Sequence, residues 1–435
     1  MGRIYSSAQL TIIASVGEDP SHGLPGLTTT NSVTPFIYER INRLTISLRP
    51  LNSIASIAAS KWATRGWTYQ EGYLSRKRLF FTHTNIHYIC NAATISALHR
   101  FLPRPIQRSQ PSKPYSEVST WTLRLAPLTR NLEAYSARQL SVASDALDAI
   151  AGALNAQIMN ELPVYHLWGV PLLETDIDFH LTSARGLSKG RLAPGAPKSI
   201  EILLQWHHYA PCRRRPEFPS WSFLGWEGRV YYSPWPRQIH VGTYLTIHNL
   251  QRSKSPDTAS TAVDPLHHLS YTTTLSPLFT LSPPGTPYLD LTLPTLPLHS
   301  VLVHWPSNSL QKGYYDNGYH VAVSLQNGTE VFFRVQWSSD PNLIAPETPL
   351  LGALFVSERK LEKTQASTVV FVLEKKGEGW ERVGLCIFRG SEVRAMSEEG
   401  RKGVGGAVEV EEWEGKYVSM REWMELATVQ RIMLG

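Results

Sequence analysis

The chain has 435 residues, enough for about two or three domains that each bury a core. Hydrophobic residues make up 42% of the chain and charged residues 18%, which is typical of globular protein and excludes a charge-rich disordered chain. The formal net charge of +6 is modest for this length and does not predict nucleic-acid binding. No stretch approaches the ~20 apolar residues of a membrane-spanning helix.

The first elements are short strands and helices. Residues 1–16 are predicted to be the end of a helix followed by a strand that begins at Leu10. The alternation of apolar and polar residues in this strand is imperfect, which predicts burial on both faces. A second short strand is predicted over 44–48 and a brief helix over 54–59. Residues 79–90 predict a β-hairpin around a polar turn at 83–85.

The middle of the chain is predicted to be helical. Residues 102–120 are rich in proline, serine and basic residues and indicate a surface loop. Helices are predicted over 121–136 and 144–158. In the second helix apolar residues recur at i, i+3, i+7 and i+11, which gives one buried stripe. A further helix is predicted over 200–209.

The last part of the chain is predicted to be rich in strands. Residues 251–299 are dominated by Ser, Thr, Pro and Leu, and because proline lacks a ladder donor we expect a long loop here rather than central sheet. One hairpin is predicted around the Asn-Gly pair at 327–328, and another joins 368–373 to 382–388. Residues 417–433 predict a closing helix.

Residues 60–79 combine two tryptophans, a Gln-Glu pair and several basic residues. Surface loops rarely carry so much aromatic mass, and core helices rarely carry so much charge. The mixture indicates either a partly buried polar site or a structural corner with paired charges. The residues that define this signature are Trp62, Arg65, Gly66, Trp67, Gln70, Glu71, Leu74, Ser75 and Arg76.

The signature resembles the end of the fungal heterokaryon incompatibility (HET) domain, which has the pattern S-x-W-x-x-R-G-W-x-x-Q-E-x-x-L-S. Residues 1–26 resemble the family segment M-x-x-I-Y-x-x-A-x-x-T-I followed by G-L-P-G. Residues 214–226 are similar to the family's R-R-x-x-F-P-S-W-S-W-x-G-W, with Phe223 in place of one tryptophan. The S-D-A-L pattern at 144–147 also recurs after HET domains.

The resemblance implies a mixed α+β fold with three parts. Residues 1–75 would be the C-terminal part of a HET domain, partial and of α/β type. Residues 76–210 would hold the hairpin and the helical middle region. Residues 211–435 would form a β-rich C-terminal half that includes the loop at about 251–299. The family's L-S-Y-x-W-G and W-I-D-x-x-C-I-x-Q strands have no counterpart here, so we expect the N-terminal half of the domain to be lacking.

The resemblance also implies a function, namely fungal nonself recognition that leads to programmed cell death through contacts with other proteins of incompatibility signalling. Two alternatives remain open. The chain could be an effector that processes NAD or another nucleotide, because HET domains are remotely similar to TIR domains, or it could be an inactive fragment. The first alternative rests on fold analogy alone.

Glu71 is the candidate catalytic residue. A carboxylate beside tryptophans and Arg65 would have its proton affinity tuned by desolvation and charge, yet an Arg-Glu pair could equally hold a structural corner. The sequence contains no G-x-G-x-x-G or G-K-[ST] motif, so dinucleotide and phosphate-loop chemistry have no support. Whether the protein is an enzyme is left open.

Metal and cofactor sites are not expected. His83, His87 and Cys90 have a spacing that suggests zinc, but His87 and Cys90 would lie on opposite faces of a strand. The three cysteines, which include Cys212 and Cys386, are far apart and odd in number, which favours a reducing, cytoplasmic location over a disulfide framework. The aromatic run 218–226 could present a partner-binding platform or form core.

Overall fold

The structure is a computed structural model. It describes residues 1–17, 19–27, 38–42, 44–47, 53–83, 85–90, 93–96, 120–158, 164–173, 200, 203–232, 241–242, 245–252, 279–283, 285–304, 318–324, 330–344, 348–358, 367–389, 394–396, 401–404, 407–410, 414–415 and 426–435.

The chain forms two compact units. The first contains Met1–Val118 and Ala134–Glu161, and the second contains Ser119–Glu133 and Leu162–Gly435. The mixed α+β class with a β-rich C-terminal half is confirmed. The three predicted domains (1–75, 76–210 and 211–435) stay a prediction.

The described elements up to residue 158 are α1 (Gly2–Ser7), β1 (Thr11–Ala14), β2 (Tyr38–Ile41), β3 (Leu44–Ser47), α2 (Ser53–Ala58), α3 (Lys61–Thr64), α4 (Thr68–Leu74), β4 (Lys77–Phe81), β5 (Ile86–Cys90), β6 (Thr94–Ser96), α5 (Thr120–Ser136) and α6 (Asp148–Ile158). Each predicted strand or helix up to 158 has a counterpart here, and the β4–β5 hairpin is confirmed.

The sheet of the first unit has the strand order β1-β4-β5-β6. β1 runs parallel to β4, and the connection between them contains α2, α3 and α4, as a parallel pair requires. Ile13 and Phe80 pack with Ile57 in one buried cluster. The expected burial of β1 on both faces is wrong, because Ile12 is 56% exposed while Ile13 is 1% exposed. Side chains alternate across the sheet, and the helices cover the Ile13 face.

The strands of the second unit are β7 (Val164–Leu167), β8 (Val170–Leu173), β9 (Trp206–His207), β10 (Tyr231–Tyr232), β11 (Val241–Gly242), β12 (Thr246–Ile247), β13 (Leu250–Arg252), β14 (Phe279–Leu281), β15 (Leu289–His304), β16 (Gly318–Ser324), β17 (Glu330–Arg334), β18 (Gln336–Trp337), β19 (Leu350–Glu358), β20 (Ser367–Lys376), β21 (Gly379–Arg389), β22 (Arg394–Met396), β23 (Arg401–Val404), β24 (Ala407–Val410), β25 (Glu414–Gly415) and β26 (Thr428–Leu434).

Two predicted hairpins of this unit are confirmed. β16 pairs antiparallel with β17, and β20 pairs antiparallel with β21. The Asn-Gly turn at 327–328 lies outside the described residues. The predicted helix over 200–209 is wrong at Trp206 and His207, which form β9 and pair with Tyr231 and Tyr232. Both residues of β9 are buried, and tertiary packing overrides the local helix preference.

β15 is the organising strand of the large sheet, and the expectation of a loop over 251–299 is wrong for it. It pairs with β26, β19 and β16 along its length. Pro294 lies between the residues that pair with β12 and those that pair with β19, and Pro297 lies past the last residue that pairs with β26. Each proline therefore falls where one edge has a gap in its ladder, so the missing donor is tolerated. Residues 253–278 lie outside the described residues.

The predicted closing helix over 417–433 is wrong where it is described. Residues 428–434 form β26, which pairs with 289–295 of β15. Ile432 and Leu434 are buried, whereas Val429 is 63% exposed. This two-residue alternation is that of a half-buried strand, and pairing with β15 satisfies the backbone groups that a helix would have satisfied internally.

The strand geometry of β26 predicts opposite outcomes for two substitutions three residues apart. Ile432→Ala should destabilise the protein by about 2–5 kcal/mol, because it leaves a cavity in the core. Val429→Ala should change stability by less than about 0.5 kcal/mol, because the side chain is exposed. Urea unfolding measures both changes. Similar losses from the two variants would contradict the strand, since residues three apart share a face only in a helix.

Candidate functional site

The signature folds into two short helices joined by a tight corner. Ser60 caps α3 because its Oγ accepts a hydrogen bond from the N–H of Ala63 at 3.3 Å, the preferred role of serine at a helix start. Thr68 is the first residue of α4. Its hydroxyl donates to the carbonyl of Arg65 at 2.8 Å. The Arg65 carbonyl at this corner therefore has a local hydrogen-bond donor.

Trp62 is a packing residue of this corner. Its ring meets Phe80 of β4 edge to face, with 5.4 Å between ring centres. A Cβ on Gly72 would lie 2.8 Å from the Trp62 ring, so the glycine after Glu71 makes room for the indole. Arg78 donates to the carbonyl of Gly72 at 2.7 Å. The tryptophan thus joins α4 to the sheet.

Gly66 brings a remote part of the chain against the corner. Its N–H donates to the carbonyl of Gln139 at 2.7 Å, and the N–H of Gln139 donates to the carbonyl of Thr64 at 2.6 Å. A Cβ on Gly66 would lie 2.3 Å from the Leu140 side chain. The signature glycine is therefore needed for close approach. We name residues 134–158, which supply this contact, the docking segment.

Two more signature residues bind the docking segment. The Gln70 amide donates to the carbonyl of Asp148 at 2.5 Å, and a Cβ on Gly152 would lie 2.0 Å from its Oε1. The Trp67 indole N–H donates to the Asp145 carboxylate at 3.0 Å. The S-D-A-L pattern therefore meets the R-G-W-x-x-Q-E pattern directly.

Arg138 of the docking segment lies between two aromatic rings of the signature region. Its guanidinium is 5.5 Å from the centre of the Trp62 ring and 5.3 Å from that of Tyr69. It also donates to the Thr68 hydroxyl at 2.8 Å and to the Arg65 carbonyl at 3.1 Å. This planar cation stacks and donates at the same time, which lysine would do less well.

Glu71 is half-buried in this environment. Burial raises the pKa of its carboxyl group above the ordinary value, and the Trp62 indole opposes this rise. The charges of Arg65 and Arg138 also lower its pKa. The structure places the candidate among aromatic and cationic groups, as the sequence suggested, but a catalytic role for Glu71 remains a prediction.

The last signature residues link α4 to neighbouring elements. The Ser75 hydroxyl lies 2.7 Å from that of Thr11 in β1, within hydrogen-bonding distance. Leu74 packs near Gly2 of α1. Arg76 is exposed. The side chains of Arg65 and Arg76 face solvent. Most of the other signature residues make contacts that hold the fold together.

Sequence reasoning missed the partners that the docking segment supplies. These partners lie more than 70 residues beyond the corner at 65–67, and no spacing rule connects them to it. They are Arg138, Gln139, Asp145, Asp148 and Gly152. The signal that could have found them is the S-D-A-L pattern, which marks this segment without saying what it binds.

The motif at 214–226 forms core in the second unit. Trp221 and Phe223 are 0% and 1% exposed, so the run is not an exposed platform. The Arg215 guanidinium donates to the carbonyl of Trp226 at 2.6 Å. Arg214 lies 5.5 Å from the centre of the Trp226 ring and donates to the carbonyl of Phe218 at 2.7 Å. Both arginines thus serve the loop's own backbone carbonyls.

A fully buried arginine supports the same core. Arg382 lies 3.8 Å from the centre of the Trp206 ring and 4.2 Å from that of Phe371, and it donates to the carbonyl of Leu204 at 2.5 Å. Burial lowers the pKa of its guanidinium to about 9. His207 and His208 are buried near this charge. Burial lowers the pKa of His207 to about 4 and that of His208 to about 3, and the positive charge of Arg382 is the second cause in both cases.

Among the described residues, no group of three His, Cys, Asp or Glu side chains could hold a metal ion. His87 is buried in β5 and Cys90 is half-buried at its end. Cys90, Cys212 and Cys386 are free thiols.

Comparison with known families points to the same segment as the signature. Residues 1–71 match the family model of the heterokaryon incompatibility protein (HET). The match is consistent with a partial HET domain and confirms the resemblance of residues 1–26 and of the signature up to Glu71. The docking segment and the motif at 214–226 lie beyond it. No curated protein and no solved structure matches the chain. In the described part of the chain, no helix is both long and apolar enough to cross a membrane.

The contact between the signature and the docking segment predicts that Gly152→Ala lowers the stability of the protein, although Gly→Ala substitutions in helices usually raise it. Alanine in a helix is ordinarily more favourable than glycine by about 1 kcal/mol. Here the added Cβ displaces Gln70, so we expect a loss of about 1–3 kcal/mol. Urea unfolding measures this loss. In a Gln70→Ala background the same substitution should cost less, because the clash with Gln70 is gone while Gly2 Cα still lies 3.2 Å from the added Cβ. A stabilising Gly152→Ala in the wild-type background would contradict the contact.

The buried histidines predict loss of stability in acid. Their folded-state pKa values are below the ordinary 6.5, so between pH 6.5 and about 4 the unfolded chain binds more protons and stability falls as pH falls. The unfolding temperature measured from pH 7 to pH 5 should drop, and His208→Asn should reduce this dependence. His248→Asn, which changes an exposed histidine, should leave it unchanged. An equal pH dependence in all three proteins would rule out His208 as its source.

Proposed function

We propose that this chain is a HET-type protein of the fungal cytoplasm that acts in nonself recognition and triggers programmed cell death through contacts with other proteins. The observation that carries the proposal is the match of residues 1–71 to the HET family. A contact supports the proposal as well. Ser75 lies beyond the matched residues, and its hydroxyl is within hydrogen-bonding distance of Thr11 inside the match, so the signature and the matched residues belong to one folded unit.

The arrangement of the signature favours a role in contacts over one in catalysis. Gly66, Trp67 and Gln70 bind the docking segment, and Trp62 and Gly72 pack the corner on the sheet. These structural contacts explain why residues of these types occur at this spacing. The Glu71 carboxyl group lies beside the Trp62 indole and the charges of Arg65 and Arg138, a setting that suits either a structural or a catalytic carboxylate, so it is the residue whose role an experiment must decide.

The test is inducible expression of the full chain in a filamentous fungus, with hyphal death scored by a vital dye and cellular NAD measured in parallel. We expect death with unchanged NAD, and we expect Glu71→Gln to retain it. Gly152→Ala, which weakens the docking contact, should reduce death. Val429→Ala is the matched control, because it changes an exposed side chain.

Two outcomes would overturn the proposal. If the protein accumulates and the hyphae survive, the chain does not trigger cell death by itself. If death is accompanied by a fall in NAD and is abolished by Glu71→Gln, the chain is a nucleotide-processing effector in which Glu71 is catalytic.

A further inference from the structure

Two loops of the first unit bring His22 and His83 together although they are 61 residues apart in sequence. Their ring centres are 6.1 Å apart, and the rings are nearly perpendicular at 86°. They line a cleft of about 390 Å³ together with Gly17, Asp19 and Ser21. His83, which the sequence grouped with His87 and Cys90, thus has a different histidine neighbour in the fold.

The separation of the rings suits two imidazoles that share one metal ion. With zinc–nitrogen bonds of 2.0–2.1 Å, the centres of two coordinated imidazole rings lie at most about 6.4 Å apart. The observed 6.1 Å falls inside this limit, which applies when the two nitrogens lie on opposite sides of the ion, and the rings approach each other by about 1 Å to reach the tetrahedral angle of zinc. Imidazole is a ligand suited to zinc, copper and nickel, whereas magnesium and calcium prefer oxygen.

Both histidines lie on loops that are held by internal hydrogen bonds. Asp19 Oδ1 accepts from the N–H of Ser21 at 2.8 Å and from its hydroxyl at 2.5 Å, which fixes the turn before His22. A Cβ on Gly17 would lie 2.4 Å from His22 Cβ, so the loop passes close to this side chain. On the other side, Thr82 Oγ1 donates to the carbonyl of Asn85 at 2.8 Å and fixes the turn that carries His83.

Asp19 supplies negative charge beside the pair. Its hydrogen bonds from Ser21 hold the pKa of its carboxyl group below the ordinary value, and His22 contributes to the lowering. The carboxylate is therefore ionised at neutral pH. A carboxylate close to a coordinated imidazole raises metal affinity by orienting the ring and balancing the charge of the ion.

We propose that His22 and His83 bind a divalent transition-metal ion of the zinc, copper or nickel class, with Asp19 as an outer carboxylate. The site supplies two protein ligands, and water fills the remaining positions. Such an open site exchanges its ion and can accept a further ligand, unlike a closed structural site. The proposal is independent of the proposed role in cell death.

The test is calorimetric titration of the full chain with Zn²⁺ at neutral pH, under reducing conditions. The chain has 15 histidines and three cysteines, so a matched control is essential. His22→Ala and His83→Ala should each weaken one zinc site at least about tenfold, and Asp19→Asn should weaken it less. His248→Ala removes an exposed histidine elsewhere and should leave this site unchanged.

A further measurement makes the result specific. Electron paramagnetic resonance with Cu²⁺ should show two nitrogen ligands in the wild type and one in His83→Ala. His83 is an exposed turn residue, so its loss should leave folding intact, which circular dichroism checks. Equal zinc affinity in the wild type, His83→Ala and His248→Ala would overturn the proposal.

Discussion

The first unit depends on the contact between the signature corner and the docking segment. Two backbone hydrogen bonds join Gln139 to Gly66 and Thr64 across more than 70 residues of chain, and Gln70 fits against Gly152 with no space for an added methyl group. Such a contact orders both segments at once, so its interactions must offset the entropy of closing a long loop. Small residues at the closest approach make this feasible, because backbone groups can reach one another there.

The contact also defines what the HET-family match means in physical terms. The match ends at residue 71, yet the groups that accept hydrogen bonds from Trp67 and Gln70, the Asp145 carboxylate and the Asp148 carbonyl, come from beyond it. The folded unit is therefore larger than the matched segment. Residues that look like a polar site in the sequence prove to be mainly the surface onto which a second segment docks, with Glu71 at its margin.

In the second unit, one strand has the corresponding role. β15 pairs with several others, and the buried cluster of the sheet includes Leu296 and Leu298 from this strand. The loop at 214–226 is also held from within, since Arg214 and Arg215 donate to its own backbone carbonyls. Outside the loop, Arg382 donates to the carbonyl of Leu204 and stacks on the Trp206 ring. Arg214 and Arg215 also face carboxylates, Glu381 at 3.2 Å and Glu227 at 3.8 Å, so these cations bind carbonyl and carboxylate oxygens together.

The sequence by itself determined the local elements whose signals are local: the helices with a buried stripe, the hairpins with turn residues, and the signature that marks the HET family. Tertiary structure alone decided the rest. Residues 289–304 and 428–434 are strands because each supplies hydrogen-bond partners for the other. Neither the number of prolines nor the local helix preference can predict pairing with a segment more than 100 residues away. Tertiary structure also brought His83 to His22 and Arg138 to Trp62, because contacts between remote segments depend on how the chain closes and not on spacing along it.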